Sequence, residues 1–365
     1  MKVLILTTVT APYRVKLFNE IGKKCDLTVC FEQNNDKSRD SKWYDHNIVN
    51  FKAVGLKGWE KPLKSVKTEI IKYINEKPDL AIAYEYSTMT GMLFMSLCKL
   101  KNIPYVINCD GAFVSKSYKD IAKRFFIKRA SGCMASGSMA AKYFLNYGAK
   151  HENIYFHNFS TLLNKDIPEE LPTKEEKKEI KNKLDIKYDK IILSVGQFIH
   201  RKGMDVLIKS MKYVSESVGL YIIGGKVGQS YIELTEKYGH NNIHFLDFMK
   251  PDKLYEYFTA TDLFVLPTRE DVWGLVINEA MAKGVPVITT DRCVAGIELI
   301  ENENNGYLVA VDDIKATAEA INKIIFDDKK IETMGRNNLM KIREYTIEKS
   351  ADMIFETFNK VLDKR

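Results

Sequence analysis

The chain has 365 residues, 45% hydrophobic and 28% charged, with a formal net charge of +7. That is long for one core and fits two domains of ordinary size. The nearest approach to a membrane-spanning run, residues 89–100, falls short of the roughly 20 apolar residues needed and ends on Lys99, so a transmembrane helix is excluded.

The opening MKVLILTTVTAPYR has one lysine before an apolar run that breaks at Pro12 without a cleavage site, which predicts a first β-strand in a cytoplasmic protein. Further strands are expected at 27–31, 80–84, 105–108, 132–135 and 154–156, with amphipathic helical patterns such as 66–75 and 140–147 between them. This alternation predicts a parallel α/β domain. Residues 116–129, KSYKDIAKRFFIKR, surround Ile121, Phe125, Phe126 and Ile127 with Lys119, Lys123, Arg124, Lys128 and Arg129 at helical spacing. Such a segment is either a half-buried helix with a solvated face or a dock for anionic lipid headgroups or a lipid-phosphate acceptor. Residues 1–170 hold 26 Lys and Arg against 17 Asp and Glu, while the remainder holds 29 against 31, so the basic surplus belongs to the first half. The surplus is modest and no nucleic-acid-binding signature accompanies it, so no nucleic-acid partner is expected.

At residues 164–190 the composition turns charged, with Pro168 and Pro172 ahead of a charged helix. The expected domains are therefore 1–168 and 169–345, with a terminal helix at 346–365 crossing back to the first. Beyond the boundary, strands are predicted at 191–196, 219–224, 243–246, 263–267, 285–289 and 306–309. Helices fall at about 203–215, 230–239, 251–260, 274–283 and 314–326. The expected fold class is α/β, two tandem Rossmann-like doubly wound domains. Ligands of such sheets lie beyond the carboxyl ends of the strands, which places the site in a cleft between facing domains. The six cysteines, Cys25, Cys30, Cys98, Cys109, Cys133 and Cys293, show neither CxxC pairing nor metal-ligand spacing and read as ordinary thiols.

Three segments carry chemistry. In residues 267–290, PTREDVWGLVINEAMAKGVPVITT, a strand ends at Pro267, Glu270 and Asp271 follow, and Trp273-Gly274 opens a helix bearing Glu279. The unpaired N–H groups of Gly274, Leu275 and Val276 suit a diphosphate or sugar hydroxyls, and Glu279 suits a ribose diol. Taken alone, Asp271 also reads as a helix cap and Glu279 as a surface acid. In residues 194–211, SVGQFIHRKGMDVLIKSM, a strand ends at Gly196 and Gln197, and Arg201 and Lys202 follow. A departing nucleoside diphosphate gains charge as its glycosyl bond breaks, and with no metal-ligand cluster in the chain these two cations are the ones to balance it. In residues 293–313, CVAGIELIENENNGYLVAVDD, Gly296, Glu298 and Gly306 mark a loop and strand, with Glu298 expected to hold the loop.

Together these motifs resemble the GT-B glycosyltransferases of family 4, the retaining, group 1 type. Their pattern is an acid, seven residues, then Glu, with a Val-Gly strand end and a basic pair before Gly in an earlier segment. The resemblance is strong from about residue 191 to 313 and looser before. It departs at Asp271, where Glu is more usual and Glu270 stands adjacent, and at Gln197, where many relatives have Arg and Arg201 is the substitute. In the first domain, TTVTAPYRVKLFNEIG occupies the family's first strand-loop-helix and brings Tyr13 and Arg14 toward the cleft. Asp110 stands near the usual place of a His, Glu85 is a second candidate there, and His157 and Asn158 fall at the hinge or cleft. The resemblance implies retaining transfer of a sugar from a UDP- or GDP-sugar to an acceptor hydroxyl, with Arg201, Lys202, Asp271 and Asp110 as catalytic candidates. It implies neither metal nor cofactor. The acceptor it suggests is a lipid-linked or other saccharide in surface polysaccharide biosynthesis, with peripheral contact between the basic domain and an anionic membrane. Sugar-nucleotide epimerases and phosphorylases share the architecture, and a catalytically silent nucleotide-sugar-binding subunit is the alternative from another class.

Overall fold

The computed structural model describes residues 1–33, 47–58, 65–114 and 120–364. The chain divides into two compact units, Met1–Thr161 with Tyr345–Arg365, and Leu162–Glu344. The division precedes the compositional shift at 168 because the intervening segment is already held by the second unit. Lys283 donates to the Asp166 carbonyl at 3.3 Å and Arg343 to the carbonyls of Pro168 and Glu169 at 3.2 and 2.7 Å. Leu171 packs against Gly284 and Gly335.

The first unit runs β1 (Lys2–Thr7), α1 (Pro12–Gly22), β2 (Asp26–Phe31), β3 (Lys52–Gly55), α2 (Ile70–Asn75), β4 (Leu80–Ala83) and α3 (Met89–Leu100). It continues with β5 (Tyr105–Cys109), α4 (Asp120–Ile127), β6 (Gly132–Ala135), α5 (Ser138–Asn146) and β7 (Ile154–Phe156). The strands form one parallel sheet in the order β3-β2-β1-β4-β5-β6-β7. Crossover helices cover such a sheet on both faces, so its inner strands are apolar throughout; β1 buries Val3, Leu4, Ile5 and Leu6 in succession. Edge strand β3 is largely exposed, has no apolar run, and escapes a reading of the sequence. Helix α2 starts at Ile70 rather than 66 because Lys67 is buried in the preceding turn, its ammonium bonded to Ser65 Oγ at 2.7 Å and to the Gly58 carbonyl. Of the basic segment at 116–129, Lys116 and Lys119 lie outside the described residues.

The second unit runs α6 (Lys174–Lys183), β8 (Lys190–Val195), α7 (Met204–Ser210), β9 (Val218–Ile223), α8 (Gln229–Tyr238), β10 (Ile243–Leu246) and α9 (Pro251–Ala260). Then come β11 (Leu263–Leu266), α10 (Leu275–Met281), β12 (Val287–Thr290), α11 (Val294–Leu299), β13 (Gly306–Val309), α12 (Ile314–Ile325) and α13 (Asp328–Ile342). Its parallel sheet has the order β10-β9-β8-β11-β12-β13. Two helices are additions to the sequence reading. Short α11 contains Gly296, where a Cβ would stand 2.4 Å from Thr289 Cγ2, so the glycine serves close helix-strand packing rather than a loop. Helix α13 restarts after α12 through an Asp327 cap on the Lys330 N–H at 2.9 Å, and its charged face masks the apolar period. The last helix, α14 (Ile347–Asp363), belongs to the first unit. It buries Ile347, Ala351, Ile354, Phe358 and Val361, an apolar stripe at helical spacing that packs on α1 and beside Gly132 of β6.

Candidate active site

In the second unit the strand order reverses between β8 and β11, the position where doubly wound sheets bind ligands. The loops leaving these strands carry most of the expected donor residues. Beyond β8, Gly196 is tied to Ile223 O at 2.9 Å, Gln197 is exposed, and a single turn, His200–Lys202, leads into Gly203. Gly203 has φ +66°, and a Cβ there would stand 2.0 Å from the Pro267 carbonyl oxygen, so glycine lets the Arg201-Lys202 turn meet the end of β11. The contact is stitched by the Arg269 N–H and the Thr268 hydroxyl, which both donate to Arg201 O, at 2.8 and 3.0 Å. Arg201 Nη1 donates to Glu270 O at 2.7 Å. Lys202 lays its stem along Gly196, and its ammonium donates to the Asp271 carboxylate, with both side chains mostly buried. Arg201 Nη1 lies 3.8 Å from Asp271 Oδ1.

Asp271 is thus engaged with cations rather than capping a helix. Helix α10 is entered through Gly274 itself, at φ +95° and without a side-chain cap, and a Cβ there would stand 2.7 Å from Cys293 Sγ. The loop is clamped to the start of α11: Asp271 N donates to Arg292 O at 2.9 Å, and Ala295 N to Trp273 O at 2.8 Å. Glu270 turns outward to Arg292 at 2.7 Å, so of the two neighbouring acids Asp271 is the one that meets Lys202. Leu275 and Val276 form the half-buried first turn of α10. Glu279, in its second turn, lies near Tyr255 of α9, whose phenol is pushed up by burial and then by that carboxylate. Glu298 falls on α11.

In the first unit the order reverses between β1 and β4, and Tyr13, Arg14, Glu85 and Asp110 all leave the carboxyl side of the sheet. Arg14, in the first turn of α1, donates from Nη2 to Asp110 Oδ2 at 2.6 Å, and its guanidinium lies 4.3 Å from the centre of the Tyr84 ring. Burial works against its charge, but Asp110, Tyr13, Tyr84 and Glu85 outweigh it and hold the arginine ionised. Tyr13 packs edge-on to Phe159, ring centres 5.3 Å apart. Glu85 is pushed up to about 7 by burial, against the pull of Arg14, with Glu32 and Asp110 adding to the rise. Its neighbourhood therefore has a carboxyl that titrates near neutrality.

Sequence reasoning missed Glu32, Tyr84 and Asn108. Glu32 follows β2, is fully buried, accepts from Thr88 Oγ1 at 2.8 Å, and leaves Oε2 without a partner among the described residues. The same holds for Thr7 Oγ1, Thr10 Oγ1, Arg14 Nη1, Tyr84 OH and Ser136 Oγ, all at or beyond the carboxyl ends of the strands of this sheet. Buried polar atoms are almost always bonded, so such a concentration marks a surface built for a polar ligand. An Asn on an otherwise apolar strand, or a Glu immediately after one, was the available signal.

Two doubly wound parallel sheets in tandem are the architecture of the GT-B glycosyltransferases. Residues 176–340, within the second unit, match the family model described as "Glycosyl transferases group 1". Among related proteins, the capsular polysaccharide biosynthesis glycosyltransferase CapM of Staphylococcus aureus is 25% identical over 339 residues, covering 82% of this chain and 88% of its own. The putative teichuronic acid biosynthesis glycosyltransferase TuaC of Bacillus subtilis is 27% identical over 281 residues, 75% of this chain and 69% of its own. Of solved structures, HepE of Anabaena in complex with UDP superimposes with a TM-score of 0.78 at 18% identity, over 99% of this chain and 100% of that one.

Proposed function

We propose that the protein is a retaining, metal-independent glycosyltransferase that moves a sugar from a UDP- or GDP-sugar to a hydroxyl of a lipid-linked saccharide in surface polysaccharide biosynthesis. The observation that carries this reading is the Lys202-Asp271 pair at the strand-order reversal of the second unit, within the group 1 match, with Arg201 beside it. Lys202 and Arg201 would balance the charge gained by the departing diphosphate, and Asp271 would orient sugar hydroxyls. The bond from the anomeric carbon to the diphosphate oxygen breaks, and the acceptor oxygen bonds that carbon on the same face. Its proton passes to the departing phosphate. Arg14 and Asp110 would face the reacting sugar or acceptor, and positioning supplies the remainder of the rate. Gly274, Leu275, Val276 and Glu279 are assigned to the donor, as are Gly196 and Gln197.

The names of CapM and TuaC support a surface-polysaccharide pathway. The basic first half and helix α4 support peripheral contact with an anionic membrane at its cytoplasmic face. Ile121 and Phe125 are 84% and 46% exposed there, and Arg129 stacks 3.9 Å over the Phe125 ring. The test is nucleotide release from a panel of UDP-, GDP-, ADP- and TDP-sugars with EDTA present. One donor turned over at an undiminished rate in EDTA supports the reading. No turnover and no donor-induced rise in melting temperature would overturn it.

A further inference from the structure

Among the described residues, Asp110 is the acidic candidate of the first unit whose two carboxylate oxygens are both held by side chains. Arg14 takes Oδ2 at 2.6 Å, and Asn108 donates from Nδ2 to Oδ1 at 2.7 Å. The second contact continues. Asn108 Oδ1 lies 2.9 Å from His157 Nε2, and His157 Nδ1 lies 3.2 Å from the Asn158 carbonyl oxygen. Asn108 is on β5 and His157 follows β7, so the chain of bonds passes over the end of β6, which lies between them in the sheet. The strand ends there at Ala135, with Ser136 following, both small side chains. The His157 backbone is itself fixed, its N–H donating to Ala135 O at 3.0 Å.

The chemistry orders the chain in one direction. An ionised Asp110 can only accept, so Asn108 must turn its amide N–H₂ toward it and its oxygen toward His157. His157 must then donate from Nε2; the neutral Nε2–H ring does so but turns its Nδ1 lone pair toward the Asn158 carbonyl oxygen, whereas the imidazolium donates to both. Asn108 and His157 are each 2% exposed. A strand interior at this depth calls for an apolar side chain, and burying an amide and an imidazole is costly unless their polar atoms are bonded. Their contacts run from the Asp110 carboxylate at one end to the Asn158 carbonyl at the other.

We infer that Asn108 and His157 are positioning residues, a buried hydrogen-bond relay that fixes the orientation of the Asp110 carboxylate toward the reacting sugar. The inference rests on the role proposed above for Asp110. Neither residue touches substrate. Their work is to keep Oδ1 from rotating while Arg14 holds Oδ2.

The test uses whichever of UDP-glucose, UDP-N-acetylglucosamine and GDP-mannose the wild-type protein turns over, in Asn108→Leu, His157→Leu, His157→Gln and Asp110→Asn. A small misplacement of a reacting group costs up to roughly 100-fold in rate. Asn108→Leu and His157→Leu are therefore expected to lower kcat by about 10- to 100-fold with the donor KM little changed. His157→Gln, whose amide still donates to Asn108, should recover most of that loss, which a merely space-filling role would not predict. Asn108→Leu combined with Asp110→Asn should be no slower than Asp110→Asn alone, because the relay acts only through that carboxylate. Wild-type kcat in a folded Asn108→Leu, or fully additive losses in the double variant, overturns the relay and leaves the transferase standing. A wild-type protein inert toward every donor overturns the transferase and with it the role of Asp110.

Discussion

Replacing Lys202 by alanine separates a catalytic from a structural account of the second unit. Its ammonium bonds Asp271, and the two side chains are only 14% and 13% exposed. Removing one preorganised donor from a developing negative charge typically costs about 3 to 4 kcal/mol of barrier, or on the order of 10² to 10³ in kcat. Stability changes less. Breaking a fully buried pair costs about 3 to 5 kcal/mol, but Asp271 keeps Arg201 at 3.8 Å and some solvent, which brings the expectation down to about 1 to 2 kcal/mol. For a unit of this size that is a fall in Tm of roughly 2 to 8 °C. The assay is nucleotide release at saturating donor, alongside calorimetric unfolding and a Lys202→Arg variant that retains the charge. The arginine variant should fall between wild type and alanine, because its longer planar head reaches Asp271 in a different geometry. A folded Lys202→Ala protein with kcat within about threefold of wild type would refute the reasoning, since a cation that balances the leaving group cannot be dispensable.

Asp271→Asn should act in the opposite sense on binding: UDP no longer competes with a carboxylate for Lys202 and binds more tightly by calorimetry, while turnover falls. Unchanged UDP affinity would show that the pair opens without cost. Gly274→Ala forces a side chain into φ +95° and against Cys293 Sγ, so Tm should drop by at least a few degrees, the left-handed conformation alone costing about 1 to 2 kcal/mol. An unaltered Tm would mean the loop relaxes freely. Glu85 has a folded pKa of about 7, above its ordinary 4.5, so the folded state holds the proton longer than the unfolded chain. Its contribution to stability is complete below about 4.5 and is lost as pH rises through about 7. Glu85→Gln should therefore gain Tm relative to wild type between pH 5 and 8, and a constant difference across that window would contradict the shift.

What could be read from the sequence follows from where the apolar residues lie. Inner strands of a parallel sheet are covered on both faces and announce themselves, as Val3 to Leu6 do, whereas the exposed edge strand β3 and charged α13 do not. The motif proposed for the donor was legible for a different reason. Gly203 and Gly274 are needed by the backbone and so stand out as single residues, and the acids and cations sit at short fixed offsets from them. The pairings were not legible, because they are made across the sheet: Lys202 meets Asp271 at a separation of 69 residues and Arg14 meets Asp110 at 96. Sequence spacing left Glu270 and Asp271 equivalent; the clamp of Asp271 N–H on Arg292 O turns one inward and frees the other to reach Arg292. The same logic explains why Asn108 passed as one more strand residue. Its chemistry exists only once β7 has brought His157 to its far side, so a polar residue inside an apolar strand is a question the sequence poses and only the folded sheet answers.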